Sequence, residues 1–408
     1  MSHKVVITGY GMLSAVGDSP EHFFEALQQD KAYAAPPTSF ETTGTTASVV
    51  AEVPDLDPEK YLGDVNHRPL NRTALLAVVA AAKALEHANC DAQLRIDANV
   101  GMVLGTMYCS VGTITAFDRN TLEVGPKYAK PMMFANTVIN AAAGQTALWH
   151  DLRGPNTTVS CGAISGLAAL GYAYDTIAQG RSSMLLAGGV EELCFESFHA
   201  FDQAGYLAAD PGAPACFAPF DRNRQGCLMG EGAAFLMLES ADSAQSRGVP
   251  VYGEIRGHAS GFDPSQGKDE TSAVAAMKRT IDLALTMAGI EAHQLDFVYA
   301  SASGLPTDGR EARVLAQVND QVPVTAIKGC VGETLGASGP MDLIAALHTL
   351  KHGQLPGITG FQHAGPDFPL SGISANNRTI KPGLGLIHSL GLDGSCCAMV
   401  IASPELAP

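Results

Sequence analysis

The part of this 408-residue chain whose residue types and spacing best suit chemistry is the run Thr157-Thr158-Val159-Ser160-Cys161-Gly162-Ala163-Ile164-Ser165-Gly166-Leu167-Ala168-Ala169-Leu170. β-Branched residues give way to small ones and then to apolar residues at helical spacing, which predicts a sharp turn from a strand into a helix. Free backbone N–H groups and the positive end of the helix dipole gather at such a turn. That setting suits a thiolate nucleophile or an acyl oxygen gaining negative charge. Cys161 stands two residues before Ala163. A reactive thiol needs exposure and a lowered pKa, so Cys161 is either a displaced nucleophile or a small buried side chain on the strand.

The elements that must hold this turn alternate along the chain. Residues 4–14 read as a buried strand ending in a glycine turn, 20–29 as a helix, and 31–68, rich in Pro, Thr, Gly and Asp, as a surface excursion. An alanine-rich amphipathic helix over 73–88, a buried strand over 99–105 and a helix over 107–120 follow, and 183–191 is another apolar strand. From about residue 250 the pattern begins again, with strands at 251–257, 297–300, 322–327 and 398–401 and helices at 270–288, 309–318 and 341–352. Strands alternating with helices imply an α/β protein with parallel sheets covered on both faces.

Composition narrows the function. The chain is 46% hydrophobic and 16% charged, as in a compact protein with much buried surface, and its formal charge is -16 with no run of Lys and Arg. Nucleic acid is thereby excluded as a partner, since phosphate binding needs a positive field. An acidic protein partner would need a local basic patch, for which Lys127, Lys130, Arg310 and Arg313 are the candidates. The nine cysteines, Cys90, Cys109, Cys161, Cys194, Cys216, Cys227, Cys330, Cys396 and Cys397, have no metal-ligand spacing and read as small hydrophobes in a reducing cytosol. No metal and no cofactor is implied. The opening apolar run is too short for a signal peptide and none approaches about 20 residues, so the expectation is a cytoplasmic protein without membrane contact.

Five segments together resemble the β-ketoacyl synthases. The turn around Ala163 is similar to the family's nucleophile turn, V-S-T-A-C-S-S-G, with Ala163 where the cysteine stands. Pro219-Phe220-Asp221-Arg222-Asn223-Arg224-Gln225-Gly226-Cys227-Leu228-Met229-Gly230-Glu231-Gly232-Ala233 resembles P-F-D-x-x-R-x-G-x-x-x-G-E-G-A throughout. In the segment matching N-A-H-G-T-G-T-P, Ser301 takes the first histidine's place, and in the one matching K-x-x-x-G-H-x-x-G-A, Lys328 is kept and Glu333 takes the second's. The C-terminal glycine loop is similar too, with Leu392 in place of a phenylalanine and Asp393 in place of a glycine.

The resemblance implies a thiolase-like duplicated five-layer αβαβα fold, one domain over 1–408 with halves of about 1–250 and 251–408. The family's cysteine attacks an acyl thioester and its histidines stabilise an enolate; a carboxylate at Glu333 would oppose that developing charge. Loss of all three side chains points to a chain length factor. Such an inert subunit pairs with a catalytic ketosynthase, receives chains from an acyl carrier protein and shapes the shared acyl tunnel of a type II polyketide system, aromatic or reducing, as for aryl polyenes. Met107, Tyr108, Phe117, Met133, Phe134 and Leu392 are then tunnel or interface candidates, or simply core. Lys328 is expected in a structural ion pair, with Glu231 a possible partner. Ser301 and Glu333 without a positioned histidine make a poor hydrolytic pair. The alternative is a divergent condensing or acyl-transferring homodimer using Cys161.

Overall fold

A computed structural model describes residues 3–54, 56–209, 217–365 and 368–406. Its strands are β1 (Val5–Leu13), β2 (Gly101–Gly105), β3 (Asn156–Val159), β4 (Met184–Glu191), β5 (Gly232–Ser240), β6 (Gly253–Phe262), β7 (Phe297–Tyr299), β8 (Val324–Thr325), β9 (Gln354–Leu355), β10 (Arg378–Thr379), β11 (Leu384–Leu390) and β12 (Ser395–Ala402). Ten of them form one sheet in the order β3-β2-β4-β5-β1-β6-β12-β11-β7-β8, and β9 pairs with β10 alone. On either side of the β1–β6 junction, the strands from the first to the fifth of each half occur in the same spatial order, third-second-fourth-fifth-first. Pair directions match as well. β2 is parallel to β3 and β4 while β5 is antiparallel to β4 and β1, and β7, β8, β11, β12 and β6 repeat this.

Helices cover both faces. Arg72–His87 and Ala141–His150 pack on the outer face of the N-terminal strands, and Glu270–Ala288 and Thr307–Asn319 on that of the C-terminal strands. Between the half-sheets lie Ser165–Ala178 and Ser338–His352, whose apolar residues share one core with β1, β4, β5, β11 and β12. The result is the αβαβα stack. Strands β1, β4, β5 and β12 are buried along their whole length, which explains their near-continuous apolar sequences.

Several boundaries differ from the sequence reading. The helix expected over 107–120 is Val111–Val124, because 106–110 forms a loop with Cys109 at φ +57°. The strand expected over 322–327 shortens to Val324–Thr325, while that expected over 251–257 extends to Phe262. β5 and β11 were hidden inside segments read as motif and glycine loop. Among the described residues no helix is long and apolar enough to cross a membrane. Of the cysteines, Cys90, Cys109, Cys227, Cys330, Cys396 and Cys397 are buried, Cys161 and Cys194 partly so, all eight as free thiols; Cys216 lies outside the described residues.

Candidate functional site

The strand-to-helix turn forms as its small residues dictate. β3 ends at Val159, Gly162 takes φ +77°, and the helix starts at Ser165. The Ser165 hydroxyl fixes the bend, accepting from the Cys161 N–H at 2.9 Å and donating to the Gly162 carbonyl at 2.6 Å. A side chain at position 162 would come within 3.0 Å of the Asp393 carboxylate, so only glycine fits under the C-terminal loop. Asp393 in turn ties that loop, accepting from the Ser395 N–H and hydroxyl at 3.0 and 2.6 Å.

Ala163, Ser301 and Glu333 line one cavity, together with Met107, Phe201, Leu305, Leu335 and Leu392. Its volume is about 30 Å³, room for one or two water molecules and no more. The lining includes no cysteine and no histidine among the described residues. Cys161 lies just outside. Burial raises its thiol pKa and Asp393 adds to that, with the Ser165 hydroxyl offsetting only part. The thiol is thus held protonated, the opposite of what a nucleophile at this turn requires.

Ser301 and Glu333 are joined through the Lys328 ammonium. The Lys328 Nζ stands 2.7 Å from Glu333 Oε2 and donates to Ser301 Oγ at 3.2 Å. Burial works against the ammonium, but Glu333 and Asp342 outweigh it and hold the Lys328 pKa above the usual lysine value. The other Glu333 oxygen accepts from the Leu335 N–H at 3.0 Å and the Ser338 hydroxyl at 2.8 Å. Ser301 Oγ also accepts from the Leu390 N–H at 2.9 Å. Each candidate is therefore committed to holding its neighbours: Ser301 Oγ is engaged by Lys328 and Leu390, the Ser301 N–H donates to Glu311 Oε1 at 2.8 Å, and Glu333 is neutralised by Lys328.

Lys328 pairs with Glu333 and not with Glu231. Glu231 accepts from Arg72 Nε at 2.9 Å and Nη2 at 2.6 Å, and from the Val53 and Leu193 N–H groups, tying the excursion at 53 to the second half of the motif. The sequence reading could not see this because Arg72 lies 159 residues away at the start of a helix. Beneath the site lies a pair that the sequence analysis missed: His388 Nδ1 is 2.7 Å from Glu311 Oε1, both side chains fully buried.

The tunnel candidates separate into two groups. Met107 and Leu392 wall the cavity at Ala163, and Tyr108 packs on the Phe198, Phe201 and Leu207 cluster beside it. Phe117, Met133 and Phe134 lie apart, on an outer segment. The Phe117 and Phe134 rings meet at 5.7 Å, and Met133 lines an open groove of about 680 Å³ with Arg72, Asn136 and Glu192. Around them the surface is strongly apolar. Leu122 is 85% and Leu148 80% exposed, and Tyr128, Met132, Phe134, Val138 and Ile139 are exposed too. Lys127 and Lys130 border this face, whereas Arg310 and Arg313 both pair with Glu270, which removes them as a basic patch.

With this geometry the comparisons agree. Residues 2–244 match the family model for the β-ketoacyl synthase N-terminal domain, and 252–362 the model for its C-terminal domain. The chain is 30% identical to a putative polyketide β-ketoacyl synthase 1 of Streptomyces halstedii over 99% of both proteins. It is 28% identical to the actinorhodin polyketide putative β-ketoacyl synthase 2 of Streptomyces coelicolor over 98% of both. Among solved structures, one described as the ishigamide ketosynthase/chain length factor superposes with a TM-score of 0.89 at 26% identity, covering 99% of this chain and 100% of that one. Fold, motif and relatives converge: the chain belongs to the β-ketoacyl synthase family, with the thiolase-like fold, and is a ketosynthase-like protein of the type II polyketide kind.

Proposed function

We propose that this chain is the catalytically silent chain length factor of a type II polyketide synthase, paired one-to-one with a ketosynthase that carries the cysteine and both histidines. The observation that carries this reading is the site itself. Its cavity admits no acyl chain, its turn presents Ala163, and its two histidine positions are occupied by the Ser301–Lys328–Glu333 cluster. Cys161, with its raised thiol pKa, does not support the homodimeric enzyme reading.

The exposed face around Leu122, Tyr128, Met132, Phe134 and Leu148, continuous in sequence with the edge strand β3, supports pairing. A monomer seldom leaves so many large apolar side chains open in one stretch of chain, and obligate interfaces are large and apolar. In the pair, Met107, Tyr108, Phe117, Met133, Phe134 and Leu392 bound the acyl tunnel. Lys328 and Glu231 are structural, and the two halves act as one domain. An acyl carrier protein delivers the chain, with Lys127 and Lys130 as its basic contacts on this subunit, and the complex works in the cytoplasm. The product is a polyketide or a polyene, aryl polyenes included. Native mass spectrometry of the tagged chain purified from its own host tests the pairing. A one-to-one complex with an intact ketosynthase is expected; a homodimer alone would return the enzyme reading.

A further inference from the structure

At the end of β4 two consecutive glutamates, Glu191 and Glu192, are buried at 1% and 6% exposure, and among the described residues neither forms a salt bridge. Most of their partners are backbone N–H groups of the segment 106–112. Glu191 Oε1 accepts from the Tyr108 N–H at 2.8 Å, the Cys109 N–H at 2.9 Å and the Thr106 hydroxyl at 3.2 Å. Its Oε2 accepts from the Met107 N–H at 2.7 Å and the Gly336 N–H at 3.3 Å. Glu192, just past the end of β4, reaches different groups. It accepts from the Gly112 N–H at 2.9 Å and the Thr73 hydroxyl at 2.8 Å.

The two carboxylates do separate jobs on that segment. Glu191 holds the loop 106–109 in a conformation that leaves Cys109 at φ +57°, where a side chain costs energy. It also grips the turn at Gly336, whose neighbour Leu335 walls the same cavity as Met107. Glu192 caps the helix Val111–Val124 from a distance: Ser110, at the N-cap, makes no side-chain cap of its own, and Gly112 lies in the first turn. That helix carries Phe117.

We propose that Glu191 and Glu192 are positioning residues for chain length: by fixing 106–117 they set where Met107, Tyr108 and Phe117 stand, and so how long a chain the complex admits. The inference rests on the function proposed above. Burial lifts both carboxyls above the usual glutamate range, against the N–H donors that favour the ionised form. The expense of burying two acids here is consistent with a joint that must be held in one geometry.

Glutamine substitution reads the joint. In Glu191→Gln the amide nitrogen faces N–H donors whichever way the amide is turned, because both oxygens accept from backbone N–H groups. In Glu192→Gln it can face the Thr73 hydroxyl, which is able to accept, so the effect is milder and the variant serves where the first folds poorly. Hydrogen exchange of each isolated chain should speed up about tenfold or more at 106–112 in Glu191→Gln, less in Glu192→Gln, and not in the surface variant Asp282→Asn. In complex with the co-purifying ketosynthase, the main product should shift by at least one two-carbon unit while the one-to-one complex persists.

Unchanged exchange at 106–112 overturns the joint, and altered exchange with unchanged product length overturns its role in chain length. Met107→Ala, which leaves both carboxylates in place, checks the underlying reading separately. If neither Met107→Ala nor Phe117→Ala moves product length, the tunnel reading falls, whatever the exchange result.

Discussion

In the N-terminal half the outermost strand, β3, exposes Asn156 and leaves Thr157, Thr158 and Val159 half-buried; its counterpart β8 in the C-terminal half is fully buried. The same position in the repeat has been given two different ends. The β8 edge is covered by the chain itself: the Val324 N–H donates to the Gly372 carbonyl at 2.9 Å, and Arg378 donates to the Gly372 and Val324 carbonyls at 2.6 and 2.8 Å. Among the described residues the β3 edge has no such cover, and the segment before it carries the exposed Leu122, Tyr128, Phe134 and Leu148. Proteins protect open edges unless something is meant to pair there. The halves differ in the same sense at the site. The N-terminal half offers a helix start with an alanine at its turn, and the C-terminal half contributes a closed ion pair. One half leaves its edge open; the other is covered by its own chain.

The largest expected effect sharpens the claim that the C-terminal contribution is structural. Lys328→Met leaves Glu333 buried without its cation and should cost on the order of 3–5 kcal/mol of stability in chemical denaturation. Adding Glu333→Leu to it should recover part of that loss, since the pair's own two charges are gone while the buried Asp342 still lacks its cation. A smaller but more specific effect is expected on the open side. Leu122→Asp with Leu148→Asp should leave the isolated chain's unfolding unchanged and weaken the ketosynthase complex by roughly 2–4 kcal/mol, about 30- to 1,000-fold by titration.

On the covered edge the expectation reverses. Arg378→Ala leaves the Val324 carbonyl without its side-chain donor, while the Gly372 carbonyl keeps the Val324 N–H, and should lower stability by about 1–3 kcal/mol, with partner affinity untouched. The smallest effect is a slope. Burial raises the Glu191 pKa from 4.5 to about 7, so the folded chain binds that proton more tightly than the unfolded one. Its contribution is full below about pH 4.5 and is lost as pH rises to about 7. His150 and His348, lowered by burial to about 4, act oppositely, losing stability as pH falls below 6.5. The wild-type minus Glu191→Gln difference in urea midpoint, measured from pH 4.5 to 8, should therefore decline with rising pH.

How legible the molecule is in its sequence follows from the range of the interactions involved. The turn at Ala163, the long outer helices and the repeated alternation depend on local spacing, and these could be read directly. Ala163, Ser301 and Glu333 could be picked out through motifs, and the fold brings them to one cavity. What escaped was set by distant partners: Glu231 with Arg72, Lys328 with Glu333 in place of Glu231, His388 with Glu311. β5 and β11 escaped because a motif or a glycine-rich stretch masked apolar runs that lack alternation when buried on both faces. The helix at 111–124 was placed four residues early because its cap comes from Glu192 and not from the adjacent Ser110.

The central claim is that this subunit holds no acyl group while its partner does. The most direct measurement is intact-mass analysis of both subunits after the purified one-to-one complex has been exposed to an acyl carrier protein thioester. The account predicts an acyl adduct on the ketosynthase and an unchanged mass for this chain. An adduct on this chain, lost in Cys161→Ala or in any other single variant, would contradict it.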